Sequence, residues 1–310
     1  LLKERRMKRY FIGVGCLVSL LLVILVLSWI PFKTHDVDKK PIQVVTSLNF
    51  YGEAAKQVAG KYGKVTSIID NASVDPHDYQ PGTVQAKQVG DANVVVENGL
   101  GYDEWLNKVV KSSSHRHSQK VINVGQLMGK HSGDNEHLWY EPATMKKLAQ
   151  QLANQYSQLD PAHRDYYQKN AQEYINSLKP LDQEIAKIKA NVNSGNNKVA
   201  VSEPVFDYSL AALGYQVVDQ HFEKAIEDGN DPSPHDIQQL QSVIKNHEIA
   251  FFVENSQTSD HVVNGLVKLA RKNHVPVLKV TETKPNNAKN YQEWMLSQYR
   301  NLSRIQQGEK

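Results

Sequence analysis

One cysteine in 310 residues is too few for an intrachain disulfide and cannot build a cluster of thiolate ligands. Charge is modest as well, at 22% of residues, but the 40% hydrophobic content is too high for a disordered chain. The composition excludes collagen-like and low-complexity chains, and there is no internal repeat. The length suits one large domain or two of ordinary size. A formal net charge of +3 raises nucleic acid or a membrane surface as partners, until the charges are located.

The basic excess is local. Lys3, Arg5, Arg6, Lys8 and Arg9 stand against Glu4 alone, so residues 1–9 carry +4 and the rest of the chain sums to −1. From Tyr10 to Phe32 no residue is charged, and a helix of that length would cross about 30 Å of hydrocarbon. Cations before such a span hold the N-terminus in the cytoplasm and export the rest of the chain. The charge is thus a topology signal, and no nucleic-acid partner is expected. Ser28-Trp29-Ile30-Pro31 makes a poor cleavage site, which favours an uncleaved anchor over a signal peptide. Cys16 after Gly13-Val14-Gly15 leaves a lipidated form as the alternative, although most of the apolar run lies beyond it. The expected division is a basic cytoplasmic flank (1–9), a transmembrane anchor or signal segment (10–32) and a linker (33–41).

Beyond the linker, short apolar runs alternate with helical patterns, as in βαβ units. Strands are expected at Ile42–Thr46, Val65–Asp70, Asn93–Glu97 and Lys120–Val124, with helices at Phe50–Ala59, Thr83–Gly90 and Asp103–Lys111. The middle is helical: Ala143–Leu159, then a helix from Asp160-Pro161 that Pro180 should kink. Alternation resumes at Lys198–Ser202 and continues through Ile249–Glu254 and Val275–Thr281. The predicted fold class is α/β: two Rossmann-like lobes with parallel sheets (42–159 and 193–310) joined by a long rigid helix (160–192). In such sheets ligands bind at the carboxyl ends of the strands.

Four strand ends carry a side chain able to bind a metal. These are His77 in Asp75-Pro76-His77-Asp78-Tyr79-Gln80-Pro81, His137 in Glu136-His137-Leu138-Trp139, Glu203 after Lys198–Ser202, and Glu282 after Val275–Thr281. Two imidazoles and two carboxylates suit a borderline or hard divalent cation and would neutralise it. Any single histidine among the twelve is more simply a solvated surface residue, and His35, His115, His117 and His131 are read so. His77 differs because prolines bracket and stiffen its loop. Glu203 differs because a carboxylate ending an apolar strand needs a partner. Glu254 is a similar acid, with hydrogen bonding to the site or helix capping as its alternative role.

These residues resemble the metal-binding solute receptors of ABC transporters that import zinc or manganese. The likeness runs over about residues 42–306. It rests on the loop 75–81, on His137-Leu138-Trp139-Tyr140-Glu141-Pro142, on Ser202-Glu203-Pro204 and on Val280-Thr281-Glu282. The resemblance implies His77, His137, Glu203 and Glu282 as ligands. Glu203 stands where zinc-type members carry histidine and manganese-type members glutamate. Glu282 stands where the family usually has aspartate. The implied protein is not an enzyme but an extracellular, membrane-anchored receptor. It would capture Mn²⁺ (favoured) or Zn²⁺ between the lobes, drawing them together, and pass it to a separate ABC permease and ATPase. Affinity should fall below about pH 6, where imidazoles protonate. The alternatives are a metal-dependent surface hydrolase, which would need an open coordination position and a base, and a surface adhesin.

Overall fold

A computed structural model describes residues 40–258 and 260–308. The expected anchor at 10–32 lies outside these residues, as do the flank 1–9, Cys16 and His35. No helix among the described residues is long and apolar enough to cross a membrane.

The chain from Pro41 onward forms one compact unit built on two four-stranded sheets. The first has the order β2-β1-β3-β4, from β1 (Ile42–Leu48), β2 (Gly63–Ile69), β3 (Val94–Glu97) and β4 (Lys120–Asn123). The second repeats the pattern as β6-β5-β7-β8, from β5 (Lys198–Val201), β6 (Gln216–Val217), β7 (Phe252–Asn255) and β8 (Val277–Val280). All neighbouring strands are parallel. Val94, Val95 and Val96 are buried, as expected of a central parallel strand covered on both faces.

Helices follow the strands: α1 (Asn49–Ala59), α2 (Thr83–Gly90), α3 (Glu104–Ser112) and α4 (Val124–Leu127) in the first lobe. After α5 (Thr144–Leu159) the segment expected as one bridging helix over 160–192 is instead a 3₁₀ turn and two helices, α6 (Arg164–Ser177) and α7 (Lys179–Ala190). Proline at 180 lacks an N–H and crowds the preceding turn. The chain tightens at Leu178, whose N–H bonds the Ile175 carbonyl, and restarts with Pro180 in the first turn of α7. Asp160 precedes the 3₁₀ turn and ties it to α6: its Oδ2 accepts from the Tyr167 hydroxyl at 2.9 Å and meets His163 Nδ1 at 2.5 Å.

The second lobe adds α8 (Asp207–Leu213), α9 (Gln220–Glu227), α10 (Pro234–Lys245), α11 (His261–Lys272) and α12 (Tyr291–Gln306). The Ser233 hydroxyl caps α10 by accepting from the Asp236 N–H.

The lobes share a core. One cluster of buried residues runs from Val44 and Trp139 in the first lobe to Val201, Phe206 and Trp294 in the second. Tyr140 packs against Phe206 and Trp294, and its hydroxyl donates to the Thr281 carbonyl at 2.6 Å. Tyr291 donates to the Trp139 carbonyl at 2.6 Å. A wide swing of one lobe would open this apolar seam to water.

Candidate metal centre

The carboxyl ends of both sheets face one cleft, and the side chains expected there arrive by separate routes. The loop after β2 brings His77. Asp75 Oδ1 accepts the His77 backbone N–H at 2.8 Å, and Trp105 Nε1–H donates to the Pro76 carbonyl at 3.1 Å. Tyr79 leans on Trp105, so the loop is fixed from beneath while the His77 imidazole stays partly exposed.

His137 lies beyond β4 and is fully buried. Asn135 sets its orientation. The Asn135 amide N–H₂ donates to the Pro204 carbonyl at 2.6 Å, which leaves Oδ1 facing His137. That oxygen accepts from the His137 backbone N–H and lies 2.9 Å from Nδ1. Nδ1 therefore carries the proton, and Nε2 presents a lone pair to the cleft. Nε2 is buried without a hydrogen-bond partner. Trp139 backs the ring at 5.3 Å between centroids.

Glu203 lies just past β5 and Glu282 just past β8. The Asn255 amide, at the end of β7, joins them: its Nδ2 lies 2.5 Å from Glu203 Oε2 and 3.5 Å from Glu282 Oε2. Glu254 points the other way, toward Arg271 at 3.4 Å and Lys279 at 3.9 Å. Successive strand residues face opposite sides of a sheet, so the site receives the asparagine and not the acid. Tyr102, after β3, donates its hydroxyl to Glu282 Oε1 at 2.7 Å while its ring packs edge-on to His77.

Two acids missing from the sequence-based set enter the cleft. Glu227, the last residue of α9, places Oε1 3.7 Å from His137 Nε2 and 4.0 Å from His77 Nε2. Glu136 Oε1 lies 3.9 Å from His77 Nε2. Among the described residues, His77, Glu136 and Glu227 form a group whose donor atoms all lie within 4.8 Å of one another. Glu136 adjoins His137 in the sequence, and that adjacency is a usable signal. Glu227 ends an ordinary amphipathic helix and carries no local signal. His115, His117 and His131 are exposed, as expected.

The electrostatics fit a cation. Burial, then repulsion by His77 and Lys224, holds the His137 imidazole down at about 3, so it is a neutral donor at any working pH. Burial pushes Glu282 up to about 7 against the Tyr102 hydrogen bond, with Glu203, Asp75 and Glu136 adding to the rise. Burial likewise raises Glu203. It raises Glu227 too, reinforced by Glu136, Glu282 and Glu203. Carboxylates crowded together resist ionising, and an imidazole lone pair without a donor is costly to bury. A divalent cation would relieve both.

Comparison with known proteins finds relatives named for the metals they bind. A relative named manganese-binding lipoprotein MntA, from Halalkalibacterium halodurans, is 25% identical over 225 residues, covering 71% of this chain and 73% of its own length. The iron-binding protein YfeA of Yersinia pestis is 25% identical over 227 residues, covering 71% of each chain. Among solved structures, the substrate-binding protein FpvC of Pseudomonas aeruginosa, determined with Mn²⁺, superposes with a TM-score of 0.69. That match has 22% identity and covers 87% of this chain and 99% of FpvC. The family model for the periplasmic component A of zinc-uptake complexes, ZnuA, matches residues 44–305, and the chain belongs to that family.

Proposed function

We propose that the protein is the metal receptor of an ABC import system, and that His77, His137, Glu203 and Glu282 hold its cargo, a divalent transition-metal ion. The observation that carries this reading is the buried, unpartnered Nε2 of His137, aimed into a cleft crowded with carboxylates. The family is one of binding components, not enzymes, so the hydrolase alternative is set aside.

Mn²⁺ is the favoured cargo. A carboxylate at 203 in place of a third imidazole hardens the donor set, and harder oxygen donors suit manganese. Zinc binds more tightly to most such sites, so selectivity must come from geometry. The homology to lipoproteins supports a position on the outer face of the cell membrane, held by the N-terminal segment. The permease and ATPase that receive the metal would be separate chains.

The test is calorimetric titration of the full chain in detergent, stripped with chelator, with Mn²⁺ and Zn²⁺ separately. Wild type should bind at least one ion in the micromolar range or tighter, and His77→Ala should weaken both. Failure of wild type to bind either ion overturns the reading.

A further inference from the structure

The carboxylate of Glu227 is placed as a ligand would be. Its Oε1 faces both imidazole nitrogens, 3.7 Å from His137 Nε2 and 4.0 Å from His77 Nε2. Donors bound at about 2.1 Å around one ion stand about 3 to 4 Å apart, depending on geometry. Glu227 Oε1 thus stands near ligand spacing from each imidazole nitrogen, and His77, Glu136 and Glu227 keep their donor atoms within 4.8 Å of one another. His137 Nε2, fully buried and with no hydrogen-bond partner, points to an ion at the same place. Glu227 is itself held. It terminates α9, a helix anchored by buried Phe222 on its inner face, so the carboxylate enters from the second lobe opposite the two imidazoles.

We propose that Glu227 is a fifth ligand that biases this site toward Mn²⁺ over Zn²⁺; the proposal rests on the receptor reading above. Two imidazoles with Glu203 and Glu282 would supply the four ligands that zinc takes in closed sites. A fifth oxygen gives zinc little. Manganese accepts higher coordination and oxygen-rich surroundings, so it gains a bond that zinc does not need. Glu136, 3.9 Å from His77, adds negative potential without facing His137 in the same way. The third carboxylate also explains how a family site able to hold several first-row ions could be tuned in this chain by one residue at a helix end.

The experiment is a Mn²⁺ and Zn²⁺ titration of the full chain in detergent, with Glu227→Gln, Glu227→Ala and His137→Ala beside wild type. Glu227→Gln is isosteric and retains the test if the alanine variant fails to fold. X-ray absorption on the Mn²⁺-loaded wild type and Glu227→Ala reports ligand number directly. The proposal expects both Glu227 variants to lose Mn²⁺ affinity by about tenfold or more while Zn²⁺ changes by less than about threefold, with one carboxylate oxygen lost from the manganese shell. It is overturned if the two ions weaken equally, if neither changes, or if the shell is unaltered. Those outcomes leave the receptor reading intact provided wild type binds and His137→Ala does not. Wild type binding neither ion removes both.

Discussion

The Tyr102 hydroxyl donates to Glu282 Oε1 at 2.7 Å, joining the loop after β3 to the loop after β8 across the cleft. The same bond that orients the carboxylate also favours its ionised form, against the burial that raises it.

Replacing Tyr102 with Phe keeps the ring that packs on His77 and Trp139 and removes only the donor. Glu282 then loses its aim and gains protonation. Metal affinity should fall about tenfold, as is usual when a group orienting a ligand is removed, with little change in melting temperature. Titration at pH 7.5 checks this, and unchanged affinity would show that Glu282 is oriented by Asn255 alone.

Asn135 performs two tasks, accepting from His137 and donating to Pro204. Asn135→Ala should weaken metal binding about 10- to 100-fold, because the imidazole loses its fixed tautomer. It should also cost about 1–3 kcal/mol of stability, because a buried carbonyl loses its donor. Asn135→Asp keeps the acceptor and loses the donor. It should retain much more binding than the alanine variant while remaining destabilised. Denaturant melts beside metal titrations separate the two tasks.

The metal-free protein should be more heat-stable at pH 5.5 than at pH 8. Glu282 titrates at about 7 when folded, against an ordinary 4.5. The folded chain therefore holds more protons between those values, and stability is lost as pH rises through that window. Burial raises Glu203 and Glu227 too, and brings Asp103 up to about 6, so they act in the same sense. His137 opposes them, because the unfolded imidazole protonates near 6.5 and the folded one only at about 3, but it is one group against several. Metal binding should run the other way, strengthening as pH rises past 7. The sequence places the loss of binding below about pH 6 on imidazole protonation. The raised carboxyl groups add competing protons at higher pH than that, while His137 itself stays neutral. Thermal melts and Mn²⁺ titrations at pH 5.5, 7 and 8 check both signs.

The strands and most helices are legible in the chain because they obey local rules. Val94–Glu97 is a run of apolar residues before an acid, as a covered parallel strand requires, and Ser233-Pro234-His235-Asp236 spells a helix start that forms as written. His77, His137, Glu203 and Glu282 stand out because each comes after a strand, where parallel sheets collect their ligands. The break at Leu178 is harder to read. Pro180 signals a disturbance, but whether the helix bends or restarts depends on what packs against it.

What the sequence alone determines is periodic or adjacent: the alternation of strand and helix, the confinement of basic charge to nine residues, and the absence of thiolates from everything after Cys16. What only the tertiary structure decides is convergence. Glu227 lies 90 residues beyond His137 in the chain, yet its carboxylate comes within 3.7 Å of the imidazole. Asn255 and not Glu254 enters the cleft, because strand β7 turns one residue inward and its neighbour outward. Distances between residues far apart in the chain depend on how sheets and helices pack, and no local pattern encodes them.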